Sequence, residues 1–211
     1  MSVTVLRALL LACCGLAAVG TAAVRDDILA LTGSRRAKIV WSREVGAVSH
    51  AYGVGGTFRL MRFDTDVGTE ADVLGSTGSY FRAKITWDGA RIVYNRGADL
   101  HVVGFDGGVS RLICPGAVLG CLWYDGATGK EYAFVARGSI LTTDNTVAPL
   151  HRINIEDTTE RTVVWESRSF APIWLSVSRD GKKLGGHFPW SSGGGIYDIA
   201  SGSLLNFGQY G

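Results

Sequence analysis

Residues 83–94 read AKITWDGARIVY, in which an Asp-Gly pair separates two largely apolar stretches. This arrangement is the strongest short-range signal for a β-hairpin, because glycine accepts a positive φ without steric cost. The same arrangement recurs around Asp125-Gly126 and Asp180-Gly181. The sequence therefore predicts three hairpins at equivalent places in a repeated unit.

A third strand recurs along the chain at a regular distance. Its aligned apolar residues are Phe63, Phe105, Ile155 and Ile199, with spacings of 42, 50 and 44 residues. A short fourth strand follows each one. Four-stranded units that repeat in this way are typical of β-propeller blades. We predict an all-β propeller of antiparallel blades, about four of them visible, near residues 35–75, 80–113, 117–166 and 171–208.

The composition agrees with this fold class and excludes several others. Glycine accounts for 29 of 211 residues and proline for only 4. Many glycines together with 6 Trp, 7 Tyr and 8 Phe fit short strands joined by tight turns. They do not fit a linker, a collagen or a coiled coil. The net charge of +2 argues against a nucleic-acid partner, which usually requires a concentrated basic face.

Two of the hairpins carry a family resemblance. SRDGKKL at 178–184 and TWDGARIVY at 86–94 resemble the Ser-Pro-Asp-Gly-Lys-x-apolar signature of TolB-type, WD40-like β-propeller repeats. The resemblance covers about residues 35–207, but Arg179 and Trp87 stand where the signature has proline. It implies a propeller of the cell envelope with six to eight blades, and it carries over no catalytic residue.

The N-terminus predicts export. Arg7 is the only charged residue among the first 23, an apolar run follows it, and small residues precede Arg25-Asp26-Asp27. This is the layout of a secretory signal peptide, which we expect to be cleaved after Ala22 or Ala23. We therefore assign residues 1–23 to the signal and 24–211 to the propeller, in a periplasmic or extracellular protein with no membrane span after cleavage.

Two alternatives remain for residues 1–23. The first is that the segment forms a buried helix of the folded protein. The second is a lipid anchor on Cys13, because Leu10-Leu11-Ala12-Cys13 is similar to a bacterial lipobox. For residues 26–31 the sequence fits either a short helix or a lone strand.

The first unit lacks an inner strand. Residues 37–41 align with the second strand of the other units, and no Asp-Gly hairpin precedes them. Propellers commonly close by combining strands from both chain ends, so we expect this chain to be part of a longer ring of six to eight blades. The alternative is four blades, or assembly with another copy through exposed strand edges.

The loops between the second and third strands form the predicted binding face. They exceed a tight turn in length, which often indicates a functional loop. Their aromatic rings would stack on a carbohydrate or a peptide, although packing between blades is the alternative. The candidate ligand-binding residues are Ser49, His50, Tyr52, Asp144, His187, Trp190 and Ser191.

Three other patterns do not by themselves indicate a metal or cofactor site. Cys114 and Cys121 form either a disulfide or two buried thiols, and two cysteines alone do not make a zinc site. His101 and His151 occupy equivalent third-strand places, which the repeat explains. The acidic segment 64–70 offers carboxylates for calcium but lies where a hairpin turn is needed. We predict no metal and no cofactor.

Recognisable catalytic signatures are absent from the sequence. Residues 190–193, WSSG, only approach the nucleophile elbow, which also needs an α/β sheet. We therefore predict an exported, non-catalytic propeller that holds a protein or saccharide partner on its loop face. The alternative is a propeller hydrolase or lyase, or the propeller part of a larger envelope enzyme, with carboxylates or a histidine of perturbed pKa at one mouth of the channel.

Overall fold

The computed structural model describes residues 23–46, 56–137, 149–166, 175–187 and 194–208. Within these ranges the chain forms a helix over residues 23–31 and fifteen strands. The strands are β1 (Lys38–Glu44), β2 (Phe58–Asp64), β3 (Glu70–Asp72), β4 (Tyr80–Ile85), β5 (Arg91–Arg96), β6 (Asp99–Gly104), β7 (Arg111–Cys114), β8 (Ala117–Asp125), β9 (Lys130–Arg137), β10 (Leu150–Asn154), β11 (Arg161–Trp165), β12 (Ser176–Val177), β13 (Lys183–His187), β14 (Gly194–Asp198) and β15 (Ser203–Asn206).

The strands form four antiparallel sheets in which neighbours in sequence lie side by side. Their orders are β1-β2-β3, β4-β5-β6-β7, β8-β9-β10-β11 and β12-β13-β14-β15. Meanders of this kind are the blades of a β-propeller, so the predicted fold is confirmed. We number the sheets blades 1 to 4 in chain order.

Blade 1 has three strands among the described residues, as the missing inner strand predicted. Here β1 holds the second place and pairs with β2 in the register Trp41 to Met61. Residues 26–31, for which the sequence allowed a helix or a strand, belong to the helix. The side chain of Arg25 fastens this helix to blade 1 by donating to the Thr65 carbonyl at 2.7 Å.

The Asp-Gly hairpins form at all three places, but one of them turns differently from the prediction. Gly89 and Gly181 adopt φ values of +68° and +71°, as expected for a tight turn. Between β8 and β9 the turn is longer, and Gly129, at φ +71°, takes the left-handed conformation in place of Gly126. The amide of Gly129 closes this wider turn on the carbonyl of Asp125 at 2.8 Å.

Apolar side chains pack between successive blades. Leu60 of blade 1 shares a core with Ile92 of blade 2, Val102 of blade 2 shares one with Val135 of blade 3, and Phe134 of blade 3 shares one with Leu184 of blade 4.

The first strands of the blades lie on the inner side of the arc. Strand β4 contacts β8, and β8 contacts β12. By contrast, the fourth strands β11 and β15 are largely exposed.

Cys114 and Cys121 are buried in two different cores. Cys114 packs between blades 2 and 3, whereas Cys121 packs between blades 3 and 4 beside Leu175. Both thiols are free, so the structure has the two buried thiols and not the disulfide. Burial raises the pKa of the Cys121 thiol to about 12.

The carboxylates of the acidic segment 64–70, which was considered for calcium, form ion pairs with arginines. Arg36 pairs with Asp64 at 2.6 Å and with Asp66 at 2.9 Å, and Arg43 pairs with Glu70. Within the described ranges, no cluster of three or more His, Cys, Asp or Glu residues is arranged to hold a metal ion. The described part of the chain also contains no helix long and apolar enough to cross a membrane.

Candidate functional site

The predicted loop-face site lies almost wholly outside the described residues, so it stays a prediction. His187 is described only as the last residue of β13. The residues outside the described ranges are Ser49, His50, Tyr52, Asp144, Trp190 and Ser191.

The structure shows a different candidate at the opposite end of the blades. A cleft of about 470 Å³ opens between blades 2 and 3, beside the turns that join β4 to β5, β8 to β9 and β10 to β11. We call it the turn cleft. The residues that form its platform and rim are Trp87, Arg91, Tyr124, Lys130, Glu131 and Glu156.

Two stacked aromatic rings form the platform of the turn cleft. Trp87 of blade 2 and Tyr124 of blade 3 have ring centroids 5.4 Å apart and planes within 4° of parallel. Only one face of the indole is used in this stack, and Trp87 remains 73% exposed. Tryptophan is enriched at binding surfaces, so this exposed ring beside a cleft makes the cleft a candidate site.

The backbone of Trp87 is held in place by the neighbouring blade. Its amide donates to Glu131 Oε1 on β9 at 2.9 Å. The turn itself is closed by Thr86, whose hydroxyl donates to Asp88 at 2.6 Å. The indole is therefore presented by a rigid turn and not by a mobile loop tip.

Glu131 is the most buried ionisable group of the cleft, at 8% exposed. Burial raises the pKa of its carboxyl group, and the hydrogen bond from the Trp87 amide opposes this shift without cancelling it. Because one carboxylate oxygen already accepts from Trp87, the first role of Glu131 is to join blade 3 to the turn of blade 2.

Ion pairs balance the charges on the rim. Arg91 pairs with Glu156, which also lies 3.4 Å from Arg111. Lys130 pairs with Glu160 at 2.8 Å.

Glu160 is held by two further donors, Asn154 and Tyr132, each at 2.7 Å. Together with Lys130, these contacts lower the pKa of Glu160 to about 2. The Lys130 side of the rim is therefore joined to β9 and β10 by several hydrogen bonds.

The polar groups that line the turn cleft are engaged in structural contacts. In the described part of the chain its lining includes no serine, cysteine or histidine. Each of its three carboxylates already has a structural contact: Asp88 closes the turn, Glu131 holds Trp87 and Glu156 pairs with Arg91.

The sequence did not predict this site. Its central residue, Trp87, stands where the repeat signature has proline. A tryptophan placed inside an Asp-Gly turn has no strand neighbour to cover it, and this was the available signal.

Comparisons with known proteins match structures but not sequences. No family model matches the chain, and no curated protein matches its sequence. An oligogalacturonate lyase from Vibrio parahaemolyticus is 14% identical with a TM-score of 0.49, over 73% of this chain and 43% of the lyase chain. TolB from Acinetobacter baumannii is 16% identical with a TM-score of 0.39, over 90% of this chain and 58% of TolB.

A third similar structure is a protein of unknown function from Bacteroides thetaiotaomicron. It is 13% identical with a TM-score of 0.47, over 82% of this chain and 50% of the other. The chain thus spans less than two thirds of the length of each of these three proteins.

Proposed function

We propose that this chain is an exported, non-catalytic binding module that holds a saccharide in the turn cleft between blades 2 and 3. The observation that carries the proposal is Trp87, which is fixed through its backbone and stacked on one face, yet 73% exposed. Tryptophan and tyrosine dominate binding surfaces because they bury a large area at a low cost in conformational entropy.

A sugar ring matches both parts of the cleft. Its C–H face can lie on the open face of the indole, while its hydroxyl groups reach the rim formed by Arg91, Lys130 and Glu131. The volume of about 470 Å³ falls in the range of small-ligand sites and is small for a protein partner. The rim charges are already paired, which favours a neutral, hydroxyl-rich ligand over a strongly charged one.

A hydrolase or lyase is the second candidate, and Glu131 is the residue that favours it. A carboxyl group whose pKa is raised by burial in a cleft is a candidate general acid. Export to the periplasm or the cell exterior remains part of the proposal, and it rests on the predicted signal peptide at 1–23.

The test is calorimetric titration of the mature protein with a panel of neutral and acidic oligosaccharides. Trp87→Ala should weaken binding at least tenfold, because the stacking surface is lost. Phe207→Ala is the matched control, since Phe207 is also an exposed aromatic, 59% exposed on blade 4, and its loss should leave the affinity unchanged.

Glu131→Gln separates binding from catalysis. The amide keeps an oxygen that accepts from the Trp87 backbone, so a binding module retains its affinity. If chromatography shows cleaved oligosaccharide with the wild type and none with Glu131→Gln, the enzyme alternative holds. If no saccharide of the panel binds, or if Trp87→Ala binds as well as the wild type, the proposal is wrong.

A further inference from the structure

Arg82 adopts an unusual backbone conformation in the middle of a strand. Among the described residues, only Ser34 and Arg82 are non-glycine residues with positive φ, and Arg82 has φ +52°. It lies in β4, where the pairing with β5 shifts register between Phe81 and Lys84. A long side chain in the left-handed region costs free energy, and such strain is concentrated at functional sites.

The side chain of Arg82 is partly buried, and no carboxylate of the described residues pairs with it. Its Nη1 donates to the Leu119 carbonyl on β8 at 3.3 Å, whereas the buried Nε has no hydrogen-bond partner in the described part of the chain. The ion pairs of the described residues include Arg36, Arg91 and Arg111 but not Arg82. Burial alone lowers the pKa of Arg82 to about 10, so the group remains a cation at neutral pH.

The surroundings of Arg82 are otherwise well satisfied. Asn95, which is fully buried, donates to the Ala117 carbonyl at 2.8 Å and accepts from the Leu119 amide at 2.9 Å. These bonds fix β8 at the place where its pairing with β9 also shifts register, between Leu119 and Cys121. The framework is therefore rigid, and the unused bonding capacity belongs to the arginine.

The position of Arg82 is on the inner side of the arc. It lies on β4, the first strand of blade 2, and reaches across to β8, the first strand of blade 3. In a propeller the first strands surround the central channel. Trp87 lies beyond the other end of β4, so Arg82 and the turn cleft are separate places.

We propose that Arg82 binds a small oxyanion, a carboxylate or a phosphate, on the inner side of the arc between blades 2 and 3. A guanidinium carries five N–H groups, and among the described residues one hydrogen bond to the protein uses them. Carboxylates and phosphates match the planar fork of the remaining donors, and an anion would offset the cost of the buried charge. The strained backbone and the unpaired cation then have one common explanation.

The test is the melting temperature of the mature protein in a buffer of low ionic strength, titrated separately with acetate and with inorganic phosphate. One or both should raise the melting temperature of the wild type in a saturable manner, and the arm that does so identifies the anion. Arg82→Asn should abolish this rise. Arg161→Asn, which removes an exposed arginine at the start of β11, should keep it.

The same variant distinguishes a binding role from a structural one. Asparagine tolerates positive φ and carries no charge, so Arg82→Asn should melt about 2–4 °C above the wild type when no anion is added. If it melts below the wild type, Arg82 also supports the fold, and the Arg82→Lys titration decides. The proposal is wrong if neither anion shifts the melting temperature of the wild type, or if Arg82→Asn and Arg161→Asn respond alike.

Arg82→Lys keeps the charge but loses the planar fork. We expect its midpoint for the effective anion to be at least tenfold higher than that of the wild type. Should Arg82→Asn fail to fold, this titration decides, because an unchanged midpoint would contradict recognition by the guanidinium.

Discussion

The two interfaces of blade 3 differ in how much of their aromatic side chains they cover. Toward blade 2, Trp87 projects from a turn, stacks on Tyr124 and stays 73% exposed. Toward blade 4, Trp123 lies flat over the turn, where its indole nitrogen donates to the Arg179 carbonyl at 3.0 Å and its ring covers Gly181. The first interface leaves an aromatic surface open, and the second closes it.

The polar groups differ between the same two interfaces. Asn95 of blade 2 uses its amide to hold the first strand of blade 3. The equivalent residue of blade 3 is Ala136, which packs in the apolar core against blade 4. Both interfaces have an apolar core, to which the 2–3 interface adds the buried hydrogen bonds of Asn95 and the 3–4 interface adds the Trp123 ring over Gly181. One repeated unit thus leaves an open cleft at one interface and a closed aromatic contact at the other.

We expect the largest effect from removing the hydrogen bonds of Asn95 to Ala117 and Leu119. Asn95→Leu leaves the Leu119 amide and the Ala117 carbonyl buried without partners, so the free energy of unfolding should fall by about 3 kcal/mol. Urea denaturation measures it. Asn206→Leu, the same exchange at an exposed position of β15, should change stability by less than about 0.5 kcal/mol. Equal effects of the two exchanges would mean that Asn95 does not hold this interface.

The next effect compares the two tryptophans directly. Trp123→Ala removes a half-buried ring that covers Gly181 and stacks on Tyr132, so we expect a loss of about 2 kcal/mol in the free energy of unfolding. Trp87→Ala should cost less than about 1 kcal/mol, because its ring is mostly exposed. Urea denaturation of both variants checks the order. A larger loss for Trp87→Ala would remove the distinction between an open and a closed interface.

The sequence allowed the blades to be predicted because their signals are local. Asp88-Gly89 and Asp180-Gly181 each specify a turn within a few residues, and the third strands recur at similar distances. The conformation of the turn after Asp125 was harder to predict, since Gly126 and Gly129 both accept a positive φ. The four-residue turn from 126 to 129 places Gly129 in that conformation.

The turn cleft could not be predicted in the same way. It needs Trp87 of one blade to meet Tyr124 and Glu131 of the next, and Glu131 lies 44 residues further along the chain. No local sequence pattern predicts how one blade packs against the next. The unpaired charge of Arg82 was hidden for the same reason, since it depends on which groups of β8 face β4.

A smaller difference should separate the two Asp-Gly turns. In Gly181→Ala a Cβ would stand 2.3 Å from the Trp123 ring, in addition to the strain of φ +71°. In Gly89→Ala the nearest atom is 3.6 Å away on the Lys38 side chain, so only the strain of φ +68° remains. We expect losses of about 2 and about 1 kcal/mol in the free energy of unfolding. Thermal or urea unfolding of both variants measures the gap, and equal losses would show that Trp123 does not press on Gly181.

The smallest effect concerns the acid stability of the cleft rim. Lys130, Asn154 and Tyr132 stabilise the Glu160 carboxylate and lower its pKa from 4.5 to about 2. Because the folded state binds this proton less tightly than the unfolded state, the stabilisation is complete above pH 4.5 and is lost as the pH falls toward 2.

Glu160→Gln removes this titration, so the melting temperature of the variant should fall less steeply than that of the wild type between pH 4.5 and about 2. Glu166→Gln, which makes the same exchange just after β11, is the control and should keep the wild-type slope. If Glu160→Gln follows the wild-type curve, the three donors do not hold the carboxylate in solution. The rim beside Trp87 would then be less ordered than the 3–4 interface, and the contrast between a prepared cleft and a packed interface would rest on Asn95 and Trp87 alone.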